Sequence, residues 1–263
     1  MALRGSFVER YGRWAVVAGA SEGLGAAFAE ALAVRGMSLV LVARRAEMLA
    51  ALAADLHARH GVEVRTLACD LADAASFTQL GETCTDLEVG VAVYNAASSF
   101  VGPLLERPLE DALRVVDVNI RGPLRLVHTL GPAMVARGRG ALVLMSSLAG
   151  FQGSPRLAAY AASKAFLTVL GESLWAELAP KGVDVLASCA GAIRTPGYAK
   201  ALKKEAPGTL DAADVVEQTL AALGRMPLVI PGGVNKVASF VLRRLAPRAT
   251  AIGIMGRSVS DLE

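Results

Sequence analysis

Short, almost continuously apolar runs alternate with longer helical patterns along nearly the whole chain, and this alternation leaves few architectures open. The runs at 14–18, 38–43, 63–68, 89–94, 141–146, 184–189 and 228–230 are rich in Val, Leu and Ala and too short to be buried helices. A strand on the surface of a sheet alternates apolar with polar residues, whereas a strand covered on both faces has no such need. Between the runs lie helical patterns at 23–35, 46–60, 74–84, 109–118, 122–137, 156–178 and 211–223, with Gly36 and Gly61 where C-terminal caps belong. The pattern predicts βαβ units wound into a doubly wound parallel α/β sheet of about seven strands with helices on both faces. No repeat, linker or low-complexity segment interrupts it, so residues 1–263 read as one domain.

Several classes of function drop out on composition. Apolar residues make up 54% of the chain and mean hydropathy is +0.45, enough for an extensive core. No apolar run approaches the roughly 18–20 residues that span a bilayer, so no integral membrane segment is expected. The run at 14–20 leads straight into Ser21-Glu22-Gly23 and reads as a strand, not a signal peptide. Cys69, Cys84 and Cys189 are odd in number and far apart, which predicts reduced thiols and a cytoplasmic protein without disulfides or zinc. His57 and His60 have no third ligand nearby, so no metal is expected. A net charge of +3 is too small to indicate nucleic acid as a partner.

The turn after the first run reads Gly19-Ala-Ser21-Glu22-Gly23-Leu24-Gly25. Glycines here let backbone turn tightly against a diphosphate, which then rests on the positive N-terminus of the next helix. Strand, Gly-rich turn and helix together predict a Rossmann-like dinucleotide site. The second run ends in Arg44-Arg45, where an acid would receive a ribose 2′-hydroxyl and a guanidinium a 2′-phosphate. Two arginines favour NADP(H) over NAD(H). Asp70, after the third run, either meets the adenine amino group or caps its own turn. Tyr160 and Lys164 are four apart on a helical pattern and so share one face. An ammonium beside a phenol favours the phenolate, the direction a proton donor for a carbonyl/alcohol pair requires. None of the cysteines or histidines falls in a hydrolase motif.

Gly19-x-x-x-Gly23-x-Gly25, Asn95-Ala96, Asn119, Ser146-Ser147 and Tyr160-x-x-x-Lys164, with looser matches at Gly191 and Thr195, resemble the short-chain dehydrogenases/reductases in their compact single-domain branch. The likeness runs over about residues 14–195, with 12–195 as the cofactor-binding and catalytic core, 196–227 as a substrate segment and 233–263 as a C-terminal cap. It implies that Tyr160 is the general acid/base, that Lys164 tunes it and binds the nicotinamide ribose, and that Ser147 orients the carbonyl. It further implies that Asn119 interrupts a helix and holds a proton-relaying water. Gly19, Ser21, Gly23 and Leu24 would surround the diphosphate and Asn95 the adenosine ribose, with Glu22, Leu71 and Ala96 as further contacts. Thr195 and the Ile193 backbone would hold the carboxamide. The chain departs from the family pattern at Ala18, Tyr94, Ala97 and Ala190, none of which removes a reacting group.

Segments 98–105, 149–157 and 196–208 come after the strand ends and offer Phe100, Val101, Leu148, Phe151, Leu157 and Tyr198, with Arg156 and lysines 200, 203 and 204 as the main charges. This predicts a lipophilic substrate: a steroid-like, aromatic or acyl ketone or alcohol. Residues 234–259 carry Lys236, Arg243, Arg244, Arg248 and Arg257 among apolar residues, an amphipathic helical cap for the cleft, a subunit contact or a membrane surface. Helices 122–137 and 156–178 are apolar on more than one face, and the family pairs subunits through them, so a homodimer or homotetramer is expected. The reading from a different class is a catalytically silent dinucleotide-binding sensor.

Overall fold

The computed structural model describes residues 6–195 and 205–260. Its main strands are β1 (Trp14–Ala18), β2 (Ser38–Ala43), β3 (Val64–Ala68), β4 (Val89–Tyr94), β5 (Gly140–Ser147), β6 (Val183–Ala190) and β9 (Leu228–Val229). They form one seven-stranded parallel sheet in the order β3-β2-β1-β4-β5-β6-β9. A short parallel pair, β7 (Ile193–Arg194) with β8 (Leu210–Asp211), stands apart from the sheet. The seven predicted strands are all present, within two residues at each end.

Side chains along a strand point alternately to opposite faces, so each fully buried strand feeds two cores. Ala15, Val17, Leu39 and Leu41 face one side. There they meet Phe28 and Leu32 of α2 (Gly23–Val34), Leu49 and Leu56 of α3 (Ala46–His60), and Val215, Val216 and Leu220 of the helix at Ala212–Ala222. Val16, Val40 and Val42 face the other side and meet Leu80 of α4 (Ala75–Thr83). Leu126 and Leu130 of α6 (Gly122–Arg137) and Leu167 of α7 (Ala158–Leu178) complete that second core. Strand order reverses between β1 and β4, and in an open α/β sheet that reversal opens a crevice at the carboxyl ends of the strands.

The patterns at 109–118 and 122–137 form one continuous rod. α5 (Leu109–Val116) passes through a π-helical turn, Asp117–Arg121, directly into α6. Pro123 has no N–H to give the carbonyl of Asn119, so the α register cannot close there. The Gly122 N–H instead reaches back five residues to the Asp117 carbonyl. The phenol of Tyr94, fully buried at the end of β4, donates to the Val118 carbonyl at 2.5 Å. That contact leaves no room at position 122: a Cβ on Gly122 would lie 2.0 Å from the Tyr94 hydroxyl oxygen.

Helix α1 (Phe7–Tyr11) is an element that periodicity does not predict. Ser6 and Glu9 close a capping box around it, a signal legible in Ser-x-x-Glu, but five residues are too few to show a period. The predicted C-terminal cap is two helices, α9 (Gly233–Arg244) and α10 (Arg248–Ser260), broken ahead of Pro247; α8 is the helix Ala212–Ala222 named above. They pack on residues 151–155. The Arg243 guanidinium lies 4.0 Å from the centroid of the Phe151 ring and Arg248 donates to the Phe151 carbonyl at 2.7 Å. The outer face of α9 exposes Val234, Val237, Phe240 and Val241, and Leu245 just beyond its end is exposed as well. Among the described residues no helix is long and apolar enough to cross a membrane.

Candidate active site

At the end of β1 the chain turns through Gly19, whose φ of +88° is open to glycine at little cost. The Asn95 amide donates to the Gly19 carbonyl at 2.9 Å and pins that turn to the end of β4. Gly25, one turn into α2, packs against the same carbonyl: a Cβ there would stand 1.9 Å from it. α2 therefore begins pressed against the turn, and its first residue comes after Glu22, whose side chain makes no capping bond. The leading amides of the helix are left for a ligand anion. A cleft of about 380 Å³ lies over them, lined by Gly19, Ser21, Glu22, Gly23 and Leu24 from the turn. Ala96 and Asn95 line it from β4, Leu71 and Asp70 from the end of β3, Arg44 and Arg45 from the end of β2, and Thr195 closes it over Gly23. A glycine cradle, uncapped helix amides and guanidiniums at one end fit a dinucleotide diphosphate. Ile193 does not line this cleft; its side chain packs on the core and only its backbone is left for the predicted contact.

The adenosine end is more crowded with charge than the sequence suggests. Arg45 is held by Glu22 at 2.8 Å and by the Ser21 hydroxyl at 2.8 Å. Asp70 accepts its own turn's Ala72 N–H at 3.1 Å, which is the capping role, and also pairs with Arg114 at 2.7 Å. Burial is the largest single influence on the Asp70 carboxyl and pushes it up, but the Arg114 bond, the Ala72 N–H and the charges of Arg114 and Arg44 together outweigh it, and the group lies below its ordinary range. Arg114 lines the cleft from α5 and was not among the expected site residues. No motif marks it; only the fold brings that helix beside β3.

The groups expected to react sit past this cleft, where β5 ends and α7 begins. Ser147 ends β5, its oxygen accepting the Ala149 N–H at 3.2 Å and its hydroxyl placed to favour the phenolate of Tyr160. Lys164, 3% exposed, is one turn along α7, with Nζ 5.4 Å from the Tyr160 ring centroid. Its ammonium donates to the Met145 carbonyl at 2.7 Å. Burial pulls Lys164 down to about 8. The four-residue spacing predicts that this ammonium lowers the phenol. Instead burial pushes Tyr160 above its ordinary value, with the Ser147 hydroxyl the only opposing influence, because Nζ is turned to Met145 over the ring and not to the hydroxyl. Behind the lysine, the Ser146 and Thr168 hydroxyls both donate to the Lys164 carbonyl, at 2.7 and 3.1 Å, and fix this turn of α7 to β5.

Asn119 is fully buried in the π-turn. Its amide nitrogen donates to the Ser98 carbonyl and the Ser163 hydroxyl, both at 2.9 Å, and its oxygen accepts the Ser98 N–H at 2.7 Å. Ser163 in turn donates to the Tyr160 carbonyl at 2.7 Å. The side-chain amide is thus spent on fixing α7 and the loop after β4. Tyr198 and lysines 200, 203 and 204 lie outside the described residues. No group of His, Cys, Asp and Glu among the described residues is arranged to hold a metal.

The short chain dehydrogenase family model matches residues 13–206. The chain belongs to the short-chain dehydrogenases. Within that family it is 35% identical over 235 residues to 7beta-hydroxysteroid dehydrogenase of Clostridium sardiniense, covering 88% of this chain and 90% of that one. It is 34% identical over 233 residues to very-long-chain 3-oxoacyl-CoA reductase of Phaeosphaeria nodorum, where the match covers 86% of this chain but 66% of the relative. A third short-chain dehydrogenase relative, 37% identical over 185 residues (69% of this chain, 56% of the relative), is inactive hydroxysteroid dehydrogenase-like protein 1 of Homo sapiens. Among solved structures, one described for 7beta-hydroxysteroid dehydrogenase stereoselectivity superposes with a TM-score of 0.91 at 29% identity, over 95% of this chain and 99% of that one. A Sphingobium yanoikuyae short-chain dehydrogenase in complex with NADPH superposes with a TM-score of 0.76 at 31% identity, over 83% and 87%.

Proposed function

We propose that this short-chain dehydrogenase is an NADP(H)-dependent oxidoreductase that interconverts a ketone and a secondary alcohol on a lipophilic small molecule of steroid-like or acyl character. The observation that carries the reading is the Lys164 ammonium over the Tyr160 phenol ring, with the Ser147 hydroxyl beside that phenol, at the strand ends next to a dinucleotide cleft. The coenzyme, when bound, supplies or accepts the hydride at the substrate carbon. Tyr160 gives its proton to the substrate oxygen in reduction and takes it back in oxidation. A phenol held up by burial stays protonated at neutral pH, so the proton is in place. Ser147, whose oxygen already accepts a backbone N–H, turns its one hydroxyl proton toward the phenol or the substrate oxygen. Lys164, at about 8, is mostly charged at neutrality yet can itself release a proton, and it stands over the phenol ring, where it can help return the proton that Tyr160 gives up. Asn119 is a positioning residue, tying Tyr160 to the loop after β4 through Ser163.

Gly19, Ser21, Gly23 and Leu24 hold the diphosphate; Leu71, Asp70, Asn95 and Ala96 border the adenosine; Arg44 and Arg45 hold a 2′-phosphate; Thr195 and the Ile193 backbone hold the carboxamide. The relative in complex with NADPH supports this preference, and the steroid enzyme that the chain matches along nearly its whole length supports a steroid-like substrate over an acyl thioester. The same reading makes the protein a homodimer or homotetramer through α6 and α7, where Val169 is exposed; light scattering at micromolar concentration checks it. The deciding assay offers NADPH and NADH with steroid ketones and long-chain 3-oxoacyl thioesters. Turnover of a steroid ketone that Tyr160→Phe abolishes is expected. Coenzyme binding with no turnover of either class would favour the silent sensor, the reading to which the relative named inactive lends weight.

A further inference from the structure

We infer that Glu22 sets the coenzyme preference of this site, holding down the affinity for a 2′-phosphorylated coenzyme by occupying Arg45; this rests on the dinucleotide reading above. The chain puts two guanidiniums at the end of β2 and one carboxylate in the turn that faces them. All three line the same cleft. The carboxylate is not remote from the cations: Glu22 Oε1 lies 2.8 Å from the Arg45 guanidinium, and the Ser21 hydroxyl holds the same Nη2 at 2.8 Å. Arg45 is therefore drawn back across the turn, toward the diphosphate cradle and onto an anion of the protein's own. Arg44 is the neighbouring cation at this end; among the described residues it forms no ion pair of that length, and its charge acts at longer range on the Asp70 carboxylate.

Charge decides between the two coenzymes. A 2′-phosphate carries close to two negative charges and seeks a bidentate guanidinium. To engage Arg45 it must displace a carboxylate already paired with it, and that carboxylate then stays beside the phosphate as a like charge. A ribose 2′-hydroxyl carries no charge, loses nothing to Glu22, and can donate to it. The Glu22–Arg45 pair thus costs NADP(H) affinity and leaves NAD(H) untouched. Arg44 supplies the preference that remains, and the site is tuned for moderate discrimination rather than exclusion. Both partners are part-exposed, with 49% and 42% of their side-chain surface open, so solvent screens the pair and its effect is modest. The residue that carries the specificity lies in the glycine turn, beside the diphosphate, and not only in the arginine dipeptide where the code is ordinarily sought.

The test is equilibrium fluorescence titration of the full chain and of Glu22→Gln with NADPH and NADH. Adenosine 2′,5′-bisphosphate and 5′-AMP serve as competitors that carry no nicotinamide. Gln keeps the size of the side chain and removes the charge, and the exposed position tolerates it. The expected result is that Glu22→Gln binds NADPH and the bisphosphate about fivefold more tightly while NADH and 5′-AMP change by less than about twofold. Raising the salt concentration should narrow the gap between variant and parent. An equal change for all four ligands would make Glu22 a structural residue of the turn and overturn the inference, as would looser NADPH binding in the variant. The parent protein reports separately on the reading beneath: if it does not bind the phosphorylated ligands more tightly than their counterparts, the arginine assignment fails whatever Glu22 does.

Discussion

Replacing Tyr94 with Phe removes one oxygen from the deepest part of the fold, and the structure gives a magnitude for the loss. The phenol is fully buried and donates to the Val118 carbonyl at 2.5 Å, in a turn where the normal helical donors are displaced. Its removal strands a buried acceptor, a loss of about 1–3 kcal/mol. Gly122→Ala attacks the same contact from the other side: the new Cβ would meet the hydroxyl oxygen at 2.0 Å and the ring carbon bearing it at 2.8 Å, an overpacking cost of about 1–3 kcal/mol. Because the worse of these clashes is with the oxygen, Ala at 122 should cost less once Tyr94 is Phe. Urea unfolding of the parent, both single variants and the double variant measures the cycle, with unchanged m-values as the control. The expected coupling is at least about 1 kcal/mol, with each single variant melting several degrees low. Asn119 lies in this turn, so turnover should fall in Tyr94→Phe while coenzyme affinity holds. Additivity within about 0.5 kcal/mol would refute the claim that Tyr94 and Gly122 jointly hold the π-turn.

The same geometry sets four other outcomes. Lys164→Met should make the free protein more stable at pH 7, by at most roughly 3 kcal/mol, while abolishing turnover. Burial depresses this lysine from 10.5 to about 8, so the folded state binds fewer protons than the unfolded one between those values. The penalty is full below about pH 8 and fades as pH rises toward 10.5, and the gain from Met should fade with it in melts across that window. Arg44→Ala should weaken NADPH at least about tenfold and NADH little, read by fluorescence titration. Asn119→Ala loses three buried hydrogen bonds and should cost roughly 3 kcal/mol in denaturant unfolding. Gly25→Ala should abolish coenzyme binding by calorimetry, since its methyl cannot coexist with the Gly19 carbonyl in this turn.

The sheet was legible because its inner strands are buried on both faces and bounded by glycine and polar turns: the bounds of β1, β2, β4 and α3 agree residue for residue with the patterns in the sequence, whereas the edge strand β3 has no buried residue. Tyr160 and Lys164 were legible as a pair because their four-residue spacing puts them on one helix face, whereas Ser147 and Asn119 were marked only by the family resemblance. The features that stayed hidden depend on distance in space rather than in sequence. Arg114 reaches Asp70 across 44 positions, and Glu22 reaches Arg45 only because β1 and β2 are neighbours. The π-turn hides behind two ordinary helical patterns, although Pro123 marks the missing bond. β7 and β8 are two residues each and carry no period of their own. The direction of the Tyr160 shift is not legible in the sequence, because spacing places Lys164 on the right face but says nothing of the Met145 carbonyl that its ammonium faces.

The central claim is that Tyr160 moves the proton in a coenzyme-dependent carbonyl reduction, and it is tested most directly by turnover and coenzyme binding measured together in Tyr160→Phe. With a steroid ketone and NADPH, the variant is expected to keep parental coenzyme affinity and to lose at least about a hundredfold in kcat. A variant that turns over within a few-fold of the parent would contradict the claim.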